Sequence, residues 1–318
     1  LLNNLTNPTL LFFVLGIIAT RLKSDLEIPA SSSKFISLYL LFAIGFKGGQ
    51  ELAHSGFTNE IIYSLLFGLC LASLIPLYSF FILKRKLSIS DSAAVAASYG
   101  SVSAVTFVAA ISFLEMQQLS SGGHMVAVMA LMESPAIIVG VMLMMRFDTT
   151  TKPTERVSLK SILHHAFTNG SVLLILGSLI IGLIADTKQA EGIKPFTTDI
   201  FKGFLSLFLL EMGMVTAKRF SAFKQYGWFV TFFALMLPAI NGCVVAYLSM
   251  FITHDVGNRF IFSILAASAS YIAVPAAMRL AAPKADPGLY LPMALGVTFP
   301  FNITIGMPLY FLLVNYFN

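Results

Sequence analysis

The stretch "AASYGSVSAVTF", residues 96–107, crowds Ser98, Tyr99, Gly100, Ser101, Ser103 and Thr106 into an otherwise apolar run. Burial alone would favour Leu and Val there. A glycine lets a helix unwind, and hydroxyls compensate the amide and carbonyl groups that unwinding frees. A second stretch, "SASYIAVP" at 268–275, sets Ser268, Ser270 and Tyr271 ahead of Pro275, which lacks an N–H and breaks the i→i−4 ladder. Half-helix amino ends carry partial positive charge and orphan donors, which suits an anion. Half-helix carboxyl ends and nearby hydroxyl oxygens suit a hard cation such as Na⁺. The expected anion site is therefore Gly100, Ser101, Val102, Ser103, Ser268, Ser270 and Tyr271. The expected cation ligands are Ser101, Ser103, Thr106, Ser268 and Glu133.

Glu133, in "ALMESPAIIVG", places a carboxylate beside Pro135 in an apolar run. Such a group is costly in a membrane and is a functional candidate by default, as a Na⁺ ligand or a titrating group. A structural partnership with a serine or a freed amide is the competing account. Small residues such as Ala93, Ala97 and Ser101, or Ala266 and Ser270, also serve close helix packing. Glu211 in "LLEMGM" is a second candidate, equally suited to pairing with Lys218 or Arg219 or to snorkelling. Lys47 and Glu51, spaced i, i+4, predict an interfacial ion pair. The five histidines read as loop or boundary positions. No HExxH, nucleophile elbow or Walker sequence is present, so intramembrane hydrolysis and ATP-driven transport have no support. The chain is not expected to be an enzyme.

The elements that must position these residues are membrane helices. The chain is 57% hydrophobic and 11% charged over 318 residues, against about 25% charged in a soluble domain. Ten apolar runs fall near 7–22, 35–53, 61–83, 90–114, 124–146, 169–185, 199–217, 227–252, 257–280 and 289–315, long enough for helices rather than barrel strands. Alternate loops hold 15 of the 20 Lys and Arg, from Arg21 and Lys23 through Lys84–Lys86 to Lys284. The positive-inside rule puts those loops in the cytoplasm and both termini outside. The basic charge reads as topology, not as a nucleic-acid surface. Cys70 and Cys243 both lie in apolar runs and predict neither disulfide nor metal site. The first run has no basic leader and reads as a span, not as a cleaved signal.

The two halves resemble each other. "AASYGSVSAV" faces "AASASYIAVP", and "MALMESPAIIVGVML" faces "MALGVTFPFNITIGMPL", in the same order. The predicted fold is all-α: residues 1–146 and 169–318 form two five-helix repeats around a linker at 147–168. Five spans per repeat is odd, so the second inserts upside down, with discontinuous crossing helices, as in secondary transporters.

"YGSVSAVTFVAAISFLE", "MALMESPAIIVGVML" and "ASASYIAVPAAMRLAAPKADPGLYLPMALGVTFPFNITIGMPLY" together resemble the sodium-dependent bicarbonate transporter family, first known from cyanobacteria. "LLFAIGFKGGQELA" and "LFLLEMGMVTAKRF" resemble its second and seventh spans. That family shares ancestry with sodium/proton antiporters and bile-acid sodium symporters. The resemblance implies a core domain moving against a gate domain, a homotrimer in a bacterial plasma membrane, and Na⁺-coupled uptake of bicarbonate. It also implies a nucleotide-sensing, PII-like partner, for which the 147–168 loop is short. Glu133 stands where cyanobacterial members carry Asp. Ala269 and Tyr271 stand where they carry Ser and Asp, so substrate and Na⁺ stoichiometry stay open. The alternatives are a cation/proton antiporter, a Na⁺ symporter of another small organic anion, and a non-transporting receptor or membrane subunit.

Overall fold

The computed structural model describes residues 8–55, 58–148, 164, 168, 170–223 and 227–317. Most of the expected linker, residue 7 and Lys224 lie outside the described residues. Everything regular within them is helical: α1 Pro8–Arg21, α2 Ala30–Ser55, α3 Asn59–Leu83, α4 Ile89–Gly100, α5 Ala104–Met116 and α6 His124–Phe147. The second half continues with α7 Gly170–Ile184, α8 Phe201–Phe223, α9 Gly227–Leu248, α10 Val256–Ala267 and α11 Ala273–Ala281. The last, α12, runs Pro287–Tyr316 through π-helical turns at Met293–Thr298 and Asn302–Gly306. Side chains cap several starts: Ser88 accepts from Asp91 N–H, and Asp255 from Asn258 N–H at 2.7 Å, satisfying donors that a helix start leaves open.

Among the described residues, six helical stretches are long and apolar enough to cross a membrane: α3, α4 with α5, α6, α8, α9 and α12. The other expected spans fall short individually. The chains of α1 and α7 are brief, and α10 stops at Ala267. In α2 the sequence "KGGQE" dilutes the apolar run.

Two packing groups are evident. In one, α1 lies on α8 and α2 on α7. In the other, α3 packs on α4 and α6, and α9 on α10 and α12. Glycines let the first group approach closely: Gly49 and Gly182 face each other across α2 and α7, where an added Cβ on Gly182 would meet Gly49 Cα at 3.1 Å. Gln50 then donates to the Gly182 and Ala185 carbonyls at the end of α7, which have no intrahelical donor.

Proline organises the second group. Pro238 lacks an N–H, so the Ala234 carbonyl four residues earlier in α9 loses its partner. The Thr298 hydroxyl of α12 donates to it at 2.8 Å. With its one hydrogen used, Thr298 Oγ1 accepts from the Tyr99 hydroxyl at 2.7 Å.

One sequence expectation is corrected. Lys47 pairs with Glu115 at 3.2 Å, not with Glu51; a partner on another helix outcompetes the i, i+4 neighbour. Arg259 is 1% exposed in the first turn of α10, where Nη2 donates to the Ala246 carbonyl at 3.1 Å.

Candidate functional site

The helix of α4 ends at Gly100, and Ser101 and Ser103 are extended (φ −85°, ψ 178° and φ −100°, ψ 109°) before α5 begins. After α10 the chain leaves the helix at Ser268 (φ −86°, ψ 168°) and re-enters it after Ile272. Residues 101–103 and 268–272 meet. Ser270 N–H donates to the Ser98 carbonyl at 2.8 Å, and the Ser98 hydroxyl donates back to the Ser270 carbonyl at 2.5 Å. Ser103 N–H donates to Ser268 Oγ at 3.0 Å, while the Ser268 hydroxyl donates to the Leu265 carbonyl at 2.9 Å. Freed backbone groups thus satisfy one another across the two halves, as an apolar surrounding demands.

Further polar side chains complete the second break. Asn241 Nδ2 donates to the Ala266 carbonyl at 3.2 Å and Asn302 Nδ2 to the Ala267 carbonyl at 2.7 Å. The carboxyl end of α10 is therefore occupied by side-chain amides, which the sequence reading of a carbonyl-lined cation site did not anticipate.

A cavity opens beside the crossing. Val102, Ser103, Ser270 and Tyr271 line it from the two breaks, Glu133 from α6, and Ser171 and Ile175 from α7. Its volume is about 30 Å³, where one water needs roughly 10–15 Å³ on the same measure. The occupant that fits is a bare ion or a molecule of a few atoms. Glu133 is half-buried and has neither an ionic nor a hydrogen-bond partner among the described residues. No described basic side chain lines the cavity. Tyr271, buried but for its cavity face, lies against Ser103 and within 4.0 Å of Met212 Sδ.

The expected residues thus divide. Val102, Ser103, Ser270, Tyr271 and Glu133 converge on the cavity. Ser268 is spent on the scaffold. Thr106 is buried one turn into α5, its N–H capped by Ser103 Oγ at 3.1 Å. Ser101 Oγ is buried without a partner among the described residues, outside the cavity lining. Gly100 is helical and has no left-handed φ; its role is close approach, since an added Cβ would meet Pro76 Cγ of α3 at 2.7 Å. Pro275 does not interrupt a helix. It sits third in α11, where no intrahelical acceptor is lost. Glu211 accepts a hydrogen bond from Ser33, and its Oε2 is buried without a partner among the described residues.

Residues 8–315 match the profile of the Na⁺-dependent bicarbonate transporter superfamily. The chain belongs to this superfamily. Its membership places it among membrane transporters rather than enzymes, with a multi-pass helical body embedded in the bilayer. A comparison with curated proteins finds no match. Sequence reasoning missed Ser171 and Ile175; nothing in the apolar opening of α7 marks either as facing α6.

Proposed function

We propose that the protein is a secondary transporter that couples inward Na⁺ to uptake of bicarbonate by alternating access. The observation that carries this reading is the small cavity at the crossing, built from both halves and holding one carboxylate and no described cation. Glu133 and the Ser103 hydroxyl supply oxygens for Na⁺. Ala104 and Val105, the first two residues of α5, have amides without intrahelical acceptors, and these suit the anion. An anion beside Glu133 is tolerable only when a cation neutralises the carboxylate, which couples the two ligands.

The packing supports two inverted five-span repeats. Exchanging the first five spans for the last five turns α1 on α8 into α7 on α2, and α3 on α4 into α9 on α10; all four pairs are in contact. Residues 1–146 and 169–318 are then the repeats, and the two packing groups the gate and core. A homotrimer in a bacterial plasma membrane, with both termini outside, is the accompanying expectation from family resemblance and loop charge; the short 147–168 loop argues against a PII-like regulator.

Isotope-labelled bicarbonate flux into proteoliposomes tests the function. Uptake should follow an inward Na⁺ gradient and survive a proton ionophore. A second reading, cation/proton exchange, is favoured by the lack of any described partner for Glu133, since a proton can then replace Na⁺ there. Flux that collapses with the ionophore and ignores bicarbonate would select it.

A further inference from the structure

The site cavity has a neighbour in the same groove. Along α2, Leu41 lines the first cavity and Ile44 and Lys47 the second. Along α6, Glu133 and Met129 line the first and Val126 the second. Spacings of three and four keep each series on one helix face. On α5 the line continues from Ser103 through Phe107 and Ile111 to Glu115. At 1.5 Å per residue, Ser103 to Glu115 is a rise of about 18 Å. The second cavity is about 50 Å³. Phe107, fully buried, and Ile44 line the second cavity on the helix faces that lead back to the first.

The far end of this groove is lined by charge, with Lys47, Glu51 and Glu115 around it. Glu115 Oε1 lies 3.2 Å from Lys47 Nζ, and Oε2 lies 3.2 Å from Lys202 Nζ. The lysines stand on α2 and α8, whose main partners are α7 and α1; Glu115 ends α5, which packs on α10. One carboxylate therefore ties two helices of one packing group to the other. The side chains are 30–62% exposed, and ion pairs in that setting are weak and break readily. Weakness suits a closure that must open on every cycle.

We propose that the second cavity is the route between the outer face and the site cavity, and that Glu115, bridged to Lys47 and Lys202, is the gate at its mouth. The assignment rests on the site cavity being where ligand binds, and the loop charges put this end outside. Opening requires α2 and α8 to part from α5, with Phe107 and Ile44 lining the route toward Ser103.

Thiol labelling tests this without bicarbonate present, so its outcome is independent of the flux assay. In a Cys70→Ala, Cys243→Ala background, Ile111→Cys is exposed to a membrane-impermeant thiosulfonate in right-side-out vesicles. The thiol should react, and Glu115→Gln should raise the rate about three- to tenfold, the effect of losing two exposed ion pairs. Should Glu115→Gln fail to fold, Lys47→Gln with Lys202→Gln makes the same break and should raise the rate equally. An unreactive thiol from this side, or one rate with and without the ion pairs, overturns the proposal.

Discussion

Ser98 and Ser270 bind each other twice, through Ser270 N–H to the Ser98 carbonyl at 2.8 Å and the Ser98 hydroxyl to the Ser270 carbonyl at 2.5 Å. The pair joins residues 172 apart in sequence and fixes where the two broken helices cross. Ser98→Ala removes a donor and leaves a buried carbonyl short of a partner, at a cost of about 1–3 kcal/mol. Ser64, whose buried Oγ has no described partner, is the control: Ser64→Ala should be near neutral. Thermal unfolding of both variants in detergent checks the difference.

Glu133 is expected to set the cation dependence. Glu133→Gln keeps the shape and removes the charge, so the Na⁺ concentration for half-maximal uptake should rise by roughly tenfold, the equivalent of about 1.4 kcal/mol and within the range for a charged contact. Flux at varied Na⁺ with expression matched to wild type measures this. An unchanged Na⁺ curve would return Glu133 to a structural role.

The broken segments were legible because small and hydroxyl residues are conspicuous in an apolar run, and Glu133 because a carboxylate there is costly. What failed to show was long-range. Matching "AASYGSVSAV" to "AASASYIAVP" pairs Ser101 with Tyr271, yet the helix stops at Gly100 in one half and Ala267 in the other. The second break spans 268–272 and the first only 101–103, so a two-residue difference in length displaces the register. Pro275 misled because proline marks the start of a helix as readily as a break. Lys47 offered Glu51 at helical spacing, while Glu115 is 68 residues away. Pairing across helices leaves no periodic trace.

Gly100→Ala should destabilise the protein although the backbone there is ordinary helix. The new methyl would press on the Pro76 ring, and a proline ring on a helix has little room to yield. Overpacking of this kind costs about 1–3 kcal/mol. Removing the obstacle with Pro76→Ala should recover part of the loss, which a double-mutant unfolding cycle reads directly. Additive losses would place the cause of any Gly100→Ala effect elsewhere.

The expected orientation is open to a direct check at the Lys84–Lys86 turn. A cysteine at Arg85 in a chain without Cys70 and Cys243 should react with an impermeant reagent only after the membrane is opened. Reaction in intact cells would invert the charge-based topology, and with it the side on which Glu115 lies.

Occlusion gives the sharpest test of the cavity. Ser103 lines a space of about 30 Å³, so Ser103→Leu should fill it and abolish uptake. Insertion should continue, because Leu suits the bilayer. Ser103→Ala keeps the space and loses the cap on Thr106 N–H, a change of about 0.5–2 kcal/mol, which should lower uptake modestly. The control belongs on an open face: Met142, 53% exposed on α6, as Met142→Leu. Flux at equal membrane content compares the three. Normal transport by Ser103→Leu would make the crossing a packing contact and move the ligand site elsewhere.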